Sequence, residues 1–434
     1  MLLSLTEVND PRRSTRRKKT KVAALAFLCL ASVPIAALEN TPVVRVDAAG
    51  GQVFFKDFAG TSKTPVGTAA GSADWLFADG MKLSENDLLI PAVSGQYLRR
   101  DQVNQLGGGG TLVSQTLDDS ASLRWVHSFG AWLIKPNIDY KNELAVSLPQ
   151  DSIGKGLFDM SQFSAGLEAE WKGERVKSLR QTFAASKTDY YHYQTARSPL
   201  FGAELLLDGR NLNFLSYDYT LAADFVPWES ALLSGSAGAN FEDYAHQNVL
   251  QADPANPAGF LIVSKNRRDL LGTWLLSMTQ RWSSSWGETP LETSAGLSAG
   301  YVVLSSNQND FDAFQSAATS ARFNSNFYSY HESSIGPLLS LTVAGKWKAT
   351  ASYTYARREY VARPVQDSLG SYLGGSVRTD THAASISLSG QLSKHFSAQA
   401  SGGYVYSSSN SHFESFYLYN YSYPYYFAGF GYTL

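Results

Sequence analysis

The sequence predicts an all-β protein: an antiparallel transmembrane β-barrel of about 14 strands, or 16 if residues 43–56 add a hairpin. Three observations predict it. Segments along most of the chain alternate apolar and polar side chains with period two, which puts successive side chains on opposite faces of a strand. Short connections alternate with long ones, as they do when strands run up and down between two rims. After residue 37 no apolar run reaches the roughly 20 residues that a membrane-spanning helix needs. The 24 Tyr, 23 Phe, 9 Trp and 35 Gly suit the aromatic belts and close backbone contacts of such a barrel.

Residues 1–37 read as a secretory signal peptide. Arg12, Arg13, Arg16, Arg17, Lys18, Lys19 and Lys21 form a basic region, residues 22–33 a short apolar run, and Ile35-Ala36-Ala37 a small-residue cleavage site. Lys19 stands where a twin-arginine signal needs an apolar residue, and Leu28 before Cys29 argues against a lipoprotein signal. Cys29 is the sole cysteine, so cleavage leaves no disulfide, thiolate nucleophile or cysteine-ligated iron–sulfur cluster. Cleavage also removes seven of 36 basic and two of 38 acidic residues, leaving 29 against 36 and a net charge of about −7. That balance argues against a nucleic-acid partner.

Residues 38–85 hold Val43-Val44-Arg45-Val46 and Gln52-Val53-Phe54-Phe55, followed by Gly- and Thr-rich sequence. Three readings stand for them: a lead-in segment, a plug entering the barrel, or one additional hairpin. The barrel proper is assigned to 86–434. Its first strand is 87–99. Residues 101–120 read as a polar, glycine-rich loop, and Gly107–Gly110 is no phosphate cradle because no Lys-Ser or Lys-Thr follows.

Hairpins then pair 121–128 with 132–146, 162–171 with 176–187, 212–225 with 230–241 and 270–282 with 291–303. Two more pair 335–344 with 347–357 and 381–393 with 396–407. The clearest alternation sets Leu291, Thr293, Ala295, Leu297, Ala299, Tyr301 and Val303 against Glu292, Ser294, Gly296, Ser298 and Gly300. Long loops are expected at 188–211, 244–268, 304–334, 359–380 and 408–422.

The chain stops on one more strand. Tyr426, Ala428, Phe430, Tyr432 and Leu434 form one row; Gly429, Gly431 and Thr433 form the other. This ending resembles the closing strand of bacterial outer-membrane β-barrel proteins, whose aromatic terminal row is read by the insertion machinery. Leu434 stands where Phe is usual. The resemblance covers the architecture along most of the chain. It implies the outer membrane as location, and outer-membrane lipids, lipopolysaccharide and the barrel-assembly machinery as partners. It also implies short periplasmic turns, long extracellular loops, and Tyr426, Phe430, Tyr432 and Leu434 as the insertion signal.

In hydrocarbon every backbone N–H and C=O must be paired internally, so a sheet spans only by closing on itself. A charge on the lipid face near the midplane costs about 2–4 kcal/mol. The apolar rows carry essentially no charge, so the polar rows are assigned to the lumen. Their charged members are Arg124, Lys135, Lys177, Arg180 and Lys348 against Asp139, Glu168, Glu170, Asp218 and Glu292. Arranged across the lumen they would tune ion selectivity; paired with one another they would close it. Trp132, Trp171, Trp228, Trp282 and Trp347, with Trp286, lie at or beside short turns and are expected to form a membrane girdle. Tyr190, Tyr191, Tyr193, Tyr301, Tyr328, Tyr330, Tyr404 and Tyr406 crowd the opposite ends, as an outer girdle with loop packing or as a sugar-stacking surface.

Catalytic chemistry is sparse. Seven His are scattered without metal-ligand spacing, so no metal site and no cofactor is expected. His382 near Ser385 has the residue types of a base and a nucleophile, but serine is common on the inward rows. Asn307–Asp312 lacks the glycine and terminal glutamate of an EF-hand. The expected function is a non-enzymatic outer-membrane channel for passive or gated passage of small hydrophilic solutes. The alternatives are an export or assembly barrel working with a periplasmic partner through 38–85, and a barrel-embedded lipid hydrolase using His382 and Ser385.

Overall fold

The computed structural model describes residues 39–57, 66–103, 111–146, 158–192, 212–312, 322–413 and 419–434, with Gly154 and Gly156. The signal peptide, Gly107–Gly110 and Tyr193 lie outside the described residues. The strands of the first half are β1 (Glu39–Asp57), β2 (Val66–Lys82), β3 (Asp87–Val103), β4 (Thr111–Phe129), β5 (Trp132–Val146), β6 (Met160–Trp171), β7 (Val176–Tyr190), β8 (Phe214–Phe225) and β9 (Ala231–Asp253). Those of the second are β10 (Asn256–Trp286), β11 (Thr289–Ser306), β12 (Asp310–Asp312), β13 (Arg322–Asn324), β14 (Tyr330–Val343), β15 (Trp347–Gln366), β16 (Tyr372–Gln391), β17 (Phe396–Ser409) and β18 (Tyr421–Thr433). Sixteen of them close into one antiparallel barrel in up-and-down order, with β11 followed by β14. β12 and β13 pair as a separate small sheet. No helix occurs among the described residues.

Closure runs through the first and last strands. β18 pairs with β1 from Arg45 opposite Thr433 to Asp57 opposite Tyr421, and the Leu434 N–H donates to the Val44 carbonyl at 2.9 Å. β1 pairs in turn with β2, from Glu39 opposite Lys82 to Phe55 opposite Val66. Of the three readings of 38–85, the structure therefore takes the hairpin. It is neither lead-in nor plug, the first described strand of the wall starts at Glu39, and the boundary drawn at residue 86 disappears. Small residues such as Gly50, Gly51, Ala69 and Ala70 leave the segment without a clear apolar–polar alternation. A ladder is built from backbone groups, however, and β18 needs a partner whatever its side chains.

Short turns join β4 to β5 at Gly130-Ala131 and β10 to β11 at Gly287-Glu288. Gly130 (φ 58°) and Gly287 (φ 62°) occupy the left-handed region that a tight turn demands. At the other rim two expected loops are strand. β9 and β10 continue to Asp253 and from Asn256, and β15 and β16 to Gln366 and from Tyr372. Likewise 111–120, read as loop, is the first half of β4. In the two tall hairpins the upper part rises beyond the apolar belt, so neither face carries the period-two signal on which sequence reading relies.

The burial pattern is inverted relative to a soluble sandwich. In β6 the apolar row is the exposed one, with Phe163 56% and Leu167 48% accessible, while Glu170 on the other row is 8%. Leu297 (53%), Ile386 (67%) and Phe430 (66%) repeat this around the barrel. Side chains on the convex outside diverge and stay exposed; those inside converge and enclose one another. The outward belt ends at one rim with tryptophans and at the other with Lys187, Asp243, Arg268, His331, Arg357 and Asp380. From Trp347 to Tyr355 on β15, or Phe225 to Leu215 on β8, the belt matches the roughly 9–11 residues of a tilted spanning strand.

Two outcomes are expected. Deleting 39–57 leaves β18 and β2 each with an open edge, so the refolded protein loses the gel-mobility difference between unheated and boiled samples; a dispensable plug would preserve it. Leu297→Arg, on the outer face, lowers folding stability in lipid vesicles by about 2–4 kcal/mol, whereas its neighbour Ser298→Arg, on the inner face, is accommodated.

Candidate functional site

The site is the inner wall, and its chemistry divides between two halves. On β4 to β9 the inward rows are charged. Lys135 donates to Glu168 at 2.7 Å and to Glu170 at 2.5 Å, and Lys172 stands 3.9 Å from Glu170. Arg180 donates to Asp224 at 3.2 Å, which also accepts from Ser178 at 2.8 Å and Ser234 at 2.6 Å. Asp218 accepts from Asn240 at 2.5 Å, and Asp139 accepts from Asn137. Lys141 joins Glu143 at 2.8 Å and Asp118 at 3.5 Å.

These pairs run along the wall, between adjacent strands or between residues two apart on one strand. No cross-lumen ladder forms among the described residues, and the wall carries mixed charge held locally. Period two explains the pairing, because residues facing each other across a ladder, or two apart on one strand, share a face within reach of a long side chain.

The other predicted lumen residues fall less uniformly. Arg124 is exposed on the inner row, in register with Asn137. Glu292 and Lys348 are exposed near the short-turn rim, in register with Thr342 on the strand between them. Lys177 is the extra residue of a bulge between Val176 and Ser178 and is not in the inward row. Asp118, Lys141, Glu143 and Asp224 belong to the charged wall but were not named from sequence. Lys141 and Glu143 lie two and four residues beyond Asp139, so extending that row would have found them. Asp118 fell in the segment read as loop.

At the long-connection rim, Arg267 donates to Asp269 at 2.5 Å and stands 4.6 Å over the Tyr244 ring and 5.5 Å over Tyr328. Asp269 accepts from Ser306 at 2.5 Å. The connection from β11 to β14 is pinned on both sides. Asn307 donates to the Asn266 carbonyl at 3.0 Å, Gln308 to Asn248 at 3.2 Å and Asn309 to Leu250 at 2.6 Å, all on the β9–β10 hairpin. On the β15 side the Val361 N–H donates to Ser329, and Arg363 lies 4.2 Å over Phe327 and 3.9 Å over Tyr360. The amides of 307–309 are thus committed to backbone, and no metal cluster forms among the described residues. At the tip of the β15–β16 hairpin the Asp367 carboxylate accepts the N–H groups of Ser371 and Leu369 at 2.9 Å. The bond from Ser371 leads in holding its pKa below the usual carboxylate range.

The outer face holds the predicted girdle positions. Trp132, Trp228, Trp282 and Trp347 are exposed beside short turns, Trp171 is half-buried in register with Trp132, and Trp286 is 80% accessible. Tyr426, Phe430, Tyr432 and Leu434 share the outer row of β18. The tyrosines of the far rim divide. Tyr301, Tyr404 and Tyr406 face outward, while Tyr330 faces inward against Tyr360, their rings 5.8 Å apart. His382 and Ser385 lie on opposite faces. His382 bonds the outward Tyr353 hydroxyl at 2.6 Å, and Ser385 bonds Ser352 at 2.7 Å inside. They form no catalytic pair.

No protein-family model matches the sequence, and no curated protein matches it. Among solved structures it is similar to a BenF-like porin from Pseudomonas fluorescens, at 8% identity over 92% of this chain and 100% of that one, TM-score 0.43. It is similar to the trimeric form of OmpT, an outer-membrane protein of Vibrio cholerae, at 11% identity over 91% and 99%, TM-score 0.42. OpdQ of Pseudomonas aeruginosa matches at 9% identity over 91% and 98%, TM-score 0.42. No residue role carries over from likenesses this distant. The protein's own closed barrel, apolar outside and polar within, has the architecture of a bacterial outer-membrane β-barrel.

Lys135→Ala leaves Glu168 and Glu170 without their shared cation. In bilayer recordings under a salt gradient the reversal potential shifts toward cation selectivity, and Glu168→Gln with Glu170→Gln shifts it the opposite way.

Proposed function

We propose that this protein is an outer-membrane channel through which small hydrophilic solutes pass by diffusion. One observation carries the reading: a closed barrel of 16 strands exposes its apolar rows and encloses its polar ones. A barrel of this strand number is too wide for wall side chains alone to fill, and leaves an aqueous passage. The mixed charges of β4–β9 hydrate that passage without committing it to one sign. The N-terminal 37 residues supply the export signal, and both rims of the sheet then follow: short turns in the periplasm, tall hairpins and pinned connection outside.

The alternatives weaken on particular residues. An export barrel docking a periplasmic partner through 38–85 loses that element, because 39–57 and 66–82 are wall strands. A lipid hydrolase loses its pair, because His382 and Ser385 are divided by the sheet.

The test is conductance of the refolded protein in a planar bilayer. Stepwise, sustained current that grows with salt concentration is expected. Absence of steps at every applied voltage, from protein shown to be folded and inserted, would overturn the channel.

A further inference from the structure

Four consecutive inward positions of β18 are aromatic: Tyr421, Tyr423, Tyr425 and Phe427. Their ring centroids stand 6.0, 6.3 and 6.0 Å apart, with interplanar angles of 13°, 42° and 48°. Their direction follows from the row they share. Two steps on, a Cβ at Gly431 would meet Asp47 and the Ser397 hydroxyl on the inner face. The intervening residues Tyr426 and Phe430 are the exposed ones on the lipid side.

Aromatic residues on the outer face need no explanation in a membrane barrel. A line of them inside does, since water is their alternative partner and an apolar strip facing an aqueous passage marks a binding surface. The neighbouring inner row of β16 runs Thr381, Ala383, Ser385, Ser387, Ser389. Two glycines shape the strip. A Cβ at Gly403, in register with Tyr425, would lie 2.6 Å from that ring's Cζ, and one at Gly51, in register with Phe427, 2.7 Å from Cδ1. The rings therefore lie down along the wall in the space that side chains would fill. All four are half-buried, so each keeps part of a face toward the lumen.

The surroundings select the ligand. Ser407 and Ser401 on β17 lie in register with Tyr421 and Phe427. From Thr379 to Gln391 on β16 and along β17 the inner rows carry hydroxyls, Gly, Ala, Val and the amides Gln391 and Gln399, with no charged residue. On the other flank β1 places Arg45 and Asp47, bonded to each other, beyond Phe427, and Asp57 in register with Tyr421. Charges concentrate on β4–β9 and toward the rims. The track spans six residue steps, about 20 Å at roughly 3.3 Å each, and so exceeds any single small solute.

We propose that Tyr421, Tyr423, Tyr425 and Phe427 form a track that binds neutral linear oligosaccharides, stacking pyranose faces on the rings while the β16–β17 serines bond their hydroxyls. The assignment rests on the channel reading and names its solute class. The register neighbours of Tyr425 and Phe427, Val53 and Gly51 on β1 with Gly403 and Ser401 on β17, are uncharged, so a charged oligomer finds no counter-charge beside them, and a purely apolar solute leaves the hydroxyls unused.

The test adds maltohexaose to the full-length refolded protein, reading both transient current blockades in a bilayer and equilibrium dialysis in detergent. Blockades with saturable binding are expected. Tyr425→Ala and Phe427→Ala should weaken binding at least tenfold while open conductance stays level or rises. Tyr425→Phe retains binding, and Tyr426→Ala, on the lipid side, changes nothing inside. Saturable binding lost in Tyr425→Ala but without ion current would uphold the track and sink the channel. Steady current with neither blockade nor dialysis binding would sink the track and leave the channel. Equal blockade by hexagalacturonate, or equal binding by Tyr425→Ala in correctly folded protein, would also overturn the assignment.

Discussion

Backbone hydrogen bonding without water is the constraint on which this structure depends. Each N–H or C=O left unpaired in hydrocarbon costs several kcal/mol, so the sheet has no stable open form across a membrane. The β1–β18 ladder removes the two edges that 16 strands in a row would otherwise leave. This makes the first and last described strands equal partners in the wall, although one ends in a conspicuous aromatic row and the other is rich in small residues. It also explains why β1 keeps its register through Gly50 and Gly51, where there is little side chain to hold it.

Once the sheet is closed, the rest is sorted by which face meets which solvent. The outer row needs apolar bulk and interfacial indoles, and variation there changes little else. The inner row has no such uniform demand, and the two halves of the barrel use that freedom differently. On β4–β9, Lys135 and Arg180 are held by carboxylates of a neighbouring strand, and Lys141 by Glu143 on its own strand and Asp118 on the next, which keeps their charge within reach of water and fixes their position. On β16–β18 hydroxyls flank a continuous aromatic strip. A solute crossing the lumen would meet a polar, charged surface on one side and a neutral, stacking one on the other.

The far rim follows a further rule. Above the belt both faces of a strand are wet, and strands persist only where hairpin pairing or packing holds them. The β9–β10 and β15–β16 hairpins rise in this way, and residues 307–309 and 327–329 are anchored to them by amide, serine and arginine–aromatic contacts. These contacts involve residues far apart in sequence and of ordinary type, so no local pattern announces them.

What the sequence determined by itself was whatever one strand shows locally: the period-two rows, the short turn at Gly130 and the aromatic ending. Each is a property of one strand against one solvent, and therefore readable along the chain. Tertiary structure decided what depends on closure and register. It made 39–57 and 66–82 wall, set the count at 16, extended two hairpins through stretches with no alternation, and put Lys177 in a bulge. It separated His382 from Ser385 by the thickness of the sheet. It also turned Tyr421, Tyr423, Tyr425 and Phe427 inward, because the terminal segment is aromatic on both rows and only pairing with β1 and β17 assigns one of them to the lumen.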